Sequence, residues 1–408
     1  MNEFLNQWAE AAYTSAGFFW MALWAFVLGY FISSIIQVFL TEQWMQKTIG
    51  DAGGKSIFLS TFFGFISSSC SFSALATAKS LFKKGASFSS AIAFLLASTN
   101  LVIELGIIIS IFLGLQFVVG EYIGGILLIL SAWLLIAIIR PRKLIEEARA
   151  RLEERAGLAH ESEGPDEEAY DSKQSWIKVG KQYFMEWKMV WKDVTIGFTV
   201  AGLVSAFVPD SFFQTLFIHT GEGQSTFGFF TLLQHVIVGP VAAFLTFIGS
   251  MGNIPLAALL YGKGVSFAGV MAFIFSDLVV FPVLRIHAKY YGWKMSLFIL
   301  FLLFTSLIGA SLILHYGFDM MNALPEIGDA GFSKRDHFKL DYSFFLNMFF
   351  LIVSGILIYL GLIEGKDMSY HKEMAPKSPW LEKVLRWLAF LSYAWLLTGL
   401  GIKFLILS

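Results

Sequence analysis

Charged residues and cysteines are scarce in this sequence, and each scarcity excludes a class of protein. Charged side chains make up 14% of the chain and hydrophobic ones 56%, whereas about a quarter of the residues in a typical soluble domain are charged. One cysteine, Cys70, excludes an internal disulfide framework and any metal site built from several thiolates of one chain. The composition therefore predicts a protein whose solvent is the lipid bilayer.

Net charge and enzyme motifs are also missing. The 29 basic and 30 acidic residues give a formal net charge of -1, so no overall positive field attracts nucleic acid. No H-E-x-x-H or G-x-S-x-G motif is present, and Gly54-Lys55-Ser56 does not end a phosphate loop, because Ile49 stands where such a loop needs glycine. We expect no enzyme, no cofactor and no nucleic-acid partner.

Long apolar segments are what the sequence has instead. A helix needs about 20 apolar residues to cross the roughly 30 Å hydrocarbon core of a bilayer. Ten segments come near that length, and they lie at 17–40, 56–82, 88–113, 117–139, 191–208, 229–261, 266–284, 294–315, 343–363 and 384–407. The first is expected to be a spanning helix and not a removed signal, because residues 1–16 contain no Lys or Arg.

A charged stretch divides the chain into two halves. Of the 50 residues 140–189, 21 are charged, which is typical of a segment outside the membrane. We predict a first membrane repeat at 1–139, a cytoplasmic linker at 140–189, a second membrane repeat at 190–315, an extracytoplasmic loop at 316–340 and two additional transmembrane helices at 341–408.

The two halves share a sequence pattern. Aligned without gaps, residues 70–98 fall on residues 249–277, which places Lys84-Gly85-x-Ser87-Phe88 on Lys263-Gly264-x-Ser266-Phe267. A shared pair, Ala93-Phe94 and Ala272-Phe273, follows at the same distance in both. Composition alone does not explain such a match, so we interpret the halves as an internal repeat.

Positive charges indicate how the segments cross the membrane. Loops on the cytoplasmic side of a membrane protein carry an excess of Lys and Arg. Ten full crossings would place ten Lys or Arg residues on the outer side, whereas re-entrant hairpins at 56–82 and 229–261 would place five there. Small and polar residues at 67–71 and 249–255 interrupt both segments. We predict an all-α polytopic protein of the plasma or inner membrane, with two inverted repeats, each containing a broken re-entrant hairpin, and about eight full spans. Ten plain transmembrane helices are the alternative.

Polar residues within the apolar segments are the candidate site. Non-helical backbone is tolerated inside a membrane protein where it lines a cavity. The exposed N–H groups at the start of a helix attract polar oxygens. Burying an acidic side chain costs free energy unless the side chain is paired or hydrated. The candidate solute or ion pathway consists of Ser68, Ser69, Cys70, Ser71 and Ser73 at the first tip, Ser250 and Asn253 at the second, and Asn100, Glu104, His235 and Asp277 nearby.

Each candidate has a structural alternative. The serines could satisfy a kinked helix, Cys70 could be an inert buried thiol, and His235 is equally well explained as a satisfied interior group. Glu104 and Asp277 are candidates for proton or cation coupling, against structural hydrogen bonds.

Two expectations concern helical position. Glu104 follows Asn100 by four residues, so both are expected on one face of one helix. Glu121 lies near the start of its span beside Gly120-x-x-x-Gly124, so it is expected at the headgroups or in helix packing.

With these motifs the chain resembles the ArsP-like predicted permease family, whose members carry a Cys-Ser turn, a short helix, a basic-Gly turn and a helix opening with Phe-Leu-Leu-Ala. The corresponding parts here are Ser69-Cys70-Ser71, Lys83-Lys84-Gly85 and Ala93-Phe94-Leu95-Leu96-Ala97-Ser98. The resemblance covers most of residues 17–315 and implies export of a trivalent organoarsenical or a metal ion. The family's paired cysteines are reduced here to Ser68-Ser69-Cys70, so a harder cation, an oxyanion or an organic solute stays open.

The expected function is a secondary permease or exporter of a small solute or ion, driven by an ion gradient. A passive channel and a non-transporting membrane scaffold are the alternatives. Whether a metal binds is left open. The two spans outside the repeat could form the interface of a homo-oligomer.

Overall fold

The computed structural model describes residues 2–39, 54–67, 71–157, 172–220, 227–246, 250–325, 338, 340, 342–363 and 379–405, and within these ranges the regular structure is helical, without a strand. The helices are α1 (Asn2–Phe39), α2 (Gly54–Ser67), α3 (Ser71–Lys83), α4 (Phe88–Asn100), α5 (Ile103–Phe112), α6 (Leu115–Ile139), α7 (Arg142–Gly157) and α8 (Ser172–Phe207). They continue with α9 (Asp210–Leu216), α10 (Phe229–Thr246), α11 (Ser250–Gly262), α12 (Phe267–Ile274), a 3₁₀ turn (Phe275–Leu278), α13 (Phe281–Tyr291), α14 (Trp293–Met320), α15 (Tyr342–Ile363) and α16 (Pro379–Leu405).

Eight of the predicted spans have the length and composition of membrane-crossing helices. In the described ranges seven single helices are long and apolar enough to cross a membrane. Helices α4 and α5 together, bent by 41° at their junction, make an eighth. The seven are Glu3–Phe39, Leu115–Ile139, Val190–Phe207, Phe267–Tyr291, Trp293–Met320, Tyr342–Leu362 and Glu382–Phe404. The protein is an all-α polytopic membrane protein, as predicted.

The apolar segment 56–82 folds as a hairpin of two short helices, α2 and α3. The Ser56 hydroxyl, at the start of α2, lies 2.8 Å from the Ser90 hydroxyl at the start of α4. Helix α3 ends just before α4, at a turn where Gly85 has a φ of 106° that favours glycine. Helix α2 therefore begins at the level where α3 ends, so the chain enters and leaves this hairpin at the same end.

The segment 229–261 repeats this arrangement with α10 and α11. The His235 Nδ1 atom on α10 lies 3.1 Å from the hydroxyl of Ser266, the N-cap of α12. The turn before it contains Gly264 with a φ of 91°. Helices α3 and α11 begin 179 residues apart, at Ser71 and Ser250. The internal repeat seen in the sequence is thus a repeat of helices.

The two hairpins open toward opposite ends of the molecule. Beside turn 84–85, the Ala86 carbonyl accepts a hydrogen bond from Arg149 of α7 at 3.0 Å. The same helix reaches the start of α14, where a Cβ on Gly292 would lie 2.5 Å from the Arg151 guanidinium. Beside turn 263–264, the Tyr261 hydroxyl donates to the Pro325 carbonyl at 2.7 Å, beyond the other end of α14. The two turns therefore lie at opposite ends of α14.

The span after the first hairpin is interrupted in its middle. Helix α4 ends at Asn100, and Val102 is extended, with a φ of -77° and a ψ of 140°. The Thr99 hydroxyl donates to the Leu95 carbonyl and the Asn100 amide donates to the Leu96 carbonyl, both at 3.1 Å. Both are bonds from a side chain to the carbonyl four residues earlier, and such bonds compete with the regular backbone pattern of the last helical turn.

This interruption corrects one expectation. Asn100 and Glu104 do not share a face of one helix, because the break at residues 101–102 lies between them. The second half is interrupted at the corresponding place, since the 3₁₀ turn ends at Leu278 and Pro282 stands in the first turn of α13.

The two additional helices lie against the first span of each half. Helix α15 contacts α1 and α8, and so does α16. The Asn347 side chain of α15 accepts from the Trp24 backbone N–H at 2.9 Å and donates to the Trp20 carbonyl at 2.7 Å. The charged region 140–189 is largely helical where it is described, while 158–171 lies outside the described residues.

Candidate functional site

The tips of the two hairpins meet. Ser71 is the first residue of α3 and Ser250 the first of α11, and their hydroxyl oxygens are 3.3 Å apart. The first N–H groups of a helix have no partner within it and give that end a partial positive charge. Two such ends converge on one place, which suits a negative or oxygen-rich group.

Asp277 occupies that place. Its Oδ2 atom accepts hydrogen bonds from the Ser250 hydroxyl at 2.9 Å and from the Ser71 hydroxyl at 3.3 Å. The residue is 4% exposed and lies in the 3₁₀ turn where its span is interrupted. Its Oδ1 atom is buried without a hydrogen-bond partner among the described residues, so the carboxylate retains an acceptor for a ligand.

The other predicted residues lie on the hairpin helices, at or after the first break, or outside the described part of the chain. Asn253 is buried on α11, and Ser73 is half-buried on α3. Asn100 ends α4, and a Cβ on Gly125 of α6 would lie 3.5 Å from its Cβ. Ser68, Ser69 and Cys70 lie outside the described residues.

Glu104 is buried in the helix that follows the first break. It is 3% exposed, and its Cβ packs directly against Gly29 of α1, where a larger residue would clash. Helix α5 also contacts α11 of the second hairpin. Glu104 thus faces the first span of the chain, on a helix that also contacts the second hairpin.

The structure places His235 at the base of the second hairpin instead of its tip. Its Nδ1 atom pairs with Ser266, and its Nε2 atom lies 2.9 Å from the Ile218 carbonyl. Both ring nitrogens are therefore occupied, and the ring joins α10 to the start of α12. This geometry matches the alternative of a satisfied interior group.

Glu121 is the buried acid that the sequence reasoning misplaced. It is 0% exposed, so the expectation of a headgroup position is wrong, whereas the expected helix packing is present. A Cβ on Gly120 would lie 3.0 Å from the Phe267 ring and one on Gly125 would lie 2.5 Å from Leu101. The glycines on both sides of Glu121 could have indicated this burial from the sequence. They allow neighbouring helices to approach so closely that the Glu121 side chain cannot reach lipid.

The described ranges contain no group of three or more His, Cys, Asp or Glu side chains that could hold a metal ion. The polar atoms that converge at the tips are oxygens of Ser71, Ser250 and Asp277. Such donors suit hard cations and solutes that donate hydrogen bonds.

Comparisons with known proteins point to one family. A family model, ArsP_1, described as "Predicted permease", matches residues 7–316. The chain is also similar to "Putative permease Rv2963" of Mycobacterium tuberculosis (strain ATCC 25618 / H37Rv), with 34% identity over 331 residues that cover 78% of this chain and 79% of the relative. No solved structure matches. The family match includes both hairpins and Asp277.

Proposed function

The chain belongs to the ArsP_1 family of predicted permeases, and we propose that it moves a small solute or ion through a site formed between its two hairpin tips. The observation that carries this proposal is the convergence of Ser71 and Ser250 on one buried carboxylate, Asp277. Discontinuous helices whose N-termini meet inside the membrane at the interface of two repeats form the binding sites of many secondary transporters.

The repeats are inverted in the membrane in this proposal. Turn 84–85 lies beside α7, whose start carries Arg142 and Lys143 of a basic cluster that begins at Arg140. Basic clusters next to a span mark the cytoplasmic side, so turn 84–85 and the linker 140–189 face the cytoplasm. Turn 263–264 then faces outward, and the protein resides in the plasma or inner membrane.

An ion gradient drives transport in this proposal, because the sequence contains no ATP-binding motif. Asp277 binds the solute or ion with its free oxygen, and Glu104 responds to the coupling ion. The family resemblance makes trivalent organoarsenicals and divalent metal ions the first solutes to test. The oxygen donors at the tips favour a hard cation or a hydroxyl-bearing solute over a purely thiophilic one.

The test is uptake into proteoliposomes that contain the purified full chain. A trivalent methylarsenical, arsenite, Zn²⁺ and Mg²⁺ are offered in turn, with and without an imposed pH gradient. We expect Asp277→Asn to reduce uptake of the transported probe at least tenfold, since the amide removes the charge that binds it. Glu104→Gln is expected to abolish only the stimulation by the gradient.

The matched control is Asp210→Asn. Asp210 is 71% exposed in its side chain and pairs with Lys263 at 2.6 Å, away from the tips, so uptake should be unchanged. Full transport by a folded Asp277→Asn protein would refute the site. Uptake that never exceeds the external concentration under any gradient would indicate a passive channel.

A further inference from the structure

Glu121 is a buried carboxyl group that the proposed site does not yet use. It lies in the second turn of α6 and is 0% exposed. Neither of its carboxylate oxygens has a hydrogen-bond partner among the described residues. An ionised carboxylate without such partners costs several kcal/mol inside a membrane protein, so the neutral, protonated form is the one that this environment accepts.

Glu121 is also a neighbour of the tip cluster. Gly124, three residues beyond Glu121 on α6, packs against Phe275, which stands two residues before Asp277, and Asp277 has an oxygen without a hydrogen-bond partner among the described residues. Two carboxylates in a medium of low dielectric constant disfavour simultaneous ionisation. A proton on either carboxylate removes this repulsion.

The register of two helices gives the position of Glu121 relative to Asp277. The rings of Phe117 on α6 and Phe267 on α12 lie 4.9 Å apart, and further along α6 Gly124 packs on Phe275, the first residue of the 3₁₀ turn after α12. Helices α6 and α12 therefore run in the same direction. Glu121 lies opposite the middle of α12, whereas Asp277 follows in the 3₁₀ turn beyond its end.

This register places Glu121 between Asp277 and one end of the molecule. The Phe117 ring lies 4.9 Å from that of Tyr261, which precedes turn 263–264. Glu121 is thus nearer than Asp277 to the end that bears this turn.

We propose that Glu121 is a proton-binding residue of the transport site: it exchanges a proton with the face that bears turn 263–264 and shares that proton with Asp277. The proton passes from Glu121 to Asp277 through water: the O–H bond at Glu121 breaks, an O–H bond forms at Asp277, and no electrons change hands. Protonation of Asp277 weakens its hold on a cation, which couples solute release to proton entry. The coupling role rests on the proposed permease function, whereas proton binding at Glu121 does not.

The titratable groups around Glu121 leave this assignment intact. The helices packed against α6 are α4, α5, α12 and α14. Besides Asp277, the titratable side chains on these helices and on the neighbouring turn of α6 are Tyr122, Glu104, Lys294, His315, Tyr316 and Asp319. Lys294 is at the end of α14 near Arg151. Among the side chains on these helices, the one permanent cation is therefore remote from Glu121.

The test is infrared difference spectroscopy of the purified full chain in lipid, titrated from neutral to alkaline pH. Wild-type protein should show the carbonyl band of a protonated carboxyl group at neutral pH, and Glu121→Gln should lose it or at least one component of it. Glu10→Gln is the control, because Glu10 is 65% exposed and paired with Lys403 at 2.6 Å. Its spectrum should match the wild type.

Two outcomes overturn the proposal. One is a wild-type protein without such a band, and the other is a folded Glu121→Gln protein that retains the whole band. If Glu121→Gln does not fold, Asp277→Asn serves instead, since removing a charge that acts on Glu121 must shift the pH at which the band disappears. An unchanged pH would then refute the sharing.

Transport assays separate this inference from the permease proposal. With Mg²⁺ as probe, Glu121→Gln should lose accumulation driven by a pH gradient but retain exchange of labelled for unlabelled probe. A band that depends on Glu121 in a protein that moves no probe would contradict only the permease function. Gradient-driven accumulation by Glu121→Gln would contradict only its coupling role.

Discussion

At the residue scale, Asp277 holds the two hairpin tips together through a single oxygen. Ser250 and Ser71 both donate to its Oδ2 atom, at 2.9 Å and 3.3 Å. A hydrogen bond to a charged group contributes about 1.5–3 kcal/mol in soluble proteins, while side-chain hydrogen bonds between membrane helices average about 0.6 kcal/mol. The shorter bond should carry the larger share.

We therefore expect Ser250→Ala to lower the free energy of unfolding by about 1–2 kcal/mol and Ser71→Ala to lower it less. Because each single variant leaves the Asp277 Oδ2 atom with one donor and the double variant leaves it with neither, the double variant should lose more than the sum of the single losses. Denaturant unfolding in detergent micelles measures all three. Ser110→Ala is the control, since Ser110 is exposed and bonds only within its own helix; strict additivity would show that the two bonds are independent.

Asp277 could be predicted from the sequence because an acid in the middle of an apolar run is expensive and so has a reason to be there. Ser71 and Ser250 could be predicted because they interrupt otherwise apolar segments. Glu121 could not be placed in the same way. Its nearness to the start of a span suggested the headgroups, and only the packing of its neighbours Gly120 and Gly125 shows that the helix is enclosed at this point.

At the scale of elements, the repeated Lys-Gly-x-Ser-Phe motif has a structural explanation. The glycine takes a positive φ at the end of the second hairpin helix, and the serine caps the helix that follows. Ser87 accepts from the Ser90 backbone N–H at 3.1 Å, and Ser266 accepts from that of Gly269 at 3.2 Å. The motif repeats because both halves need the same turn and cap.

We expect Ser87→Ala to cost about 1 kcal/mol, the usual loss for an N-cap serine. Ser266→Ala should cost slightly more, because the Ser266 hydroxyl also lies 3.1 Å from the buried Nδ1 atom of His235. The extra loss should be small, since the Ser266 backbone N–H still donates to that nitrogen at 3.1 Å. Thermal unfolding of the two variants beside wild type gives the comparison. Equal losses would mean that the His235 contact contributes nothing.

The hairpins and the spans were predictable as elements, whereas the breaks within two spans were not. Residues 88–113 form one apolar run in sequence, and hydrophobicity does not report whether a backbone ladder is continuous. The side chains beside the interruption, Thr99 and Asn100, bond backbone carbonyls within the last turns of α4. Thr and Asn occur within unbroken helices too, so their presence alone does not locate a break.

At the scale of the whole molecule, the two halves share one plan but not one chemistry. The gapless alignment that pairs Ser71 with Ser250 also pairs Ser98 with Asp277. Ser98 is 0% exposed, and its hydroxyl has no hydrogen-bond partner among the described residues. The repeated frame thus carries a carboxylate on one side and a hydroxyl on the other, which gives the site a single negative charge in a nearly symmetric surrounding.

Opposite orientation of the halves is the claim about the whole molecule that labelling can decide. Cysteines are best introduced at Lys84 and Lys263, because Gly85 and Gly264 have positive φ values that a larger residue would strain. In a Cys70→Ser background, a membrane-impermeant thiol reagent applied to intact cells should label Lys263→Cys and leave Lys84→Cys unlabelled until the membrane is opened. Turns 84–85 and 263–264 lie at opposite ends of α14. If both cysteines reacted from the same side of the membrane, this arrangement of the hairpins would be contradicted and ten plain crossings would be favoured.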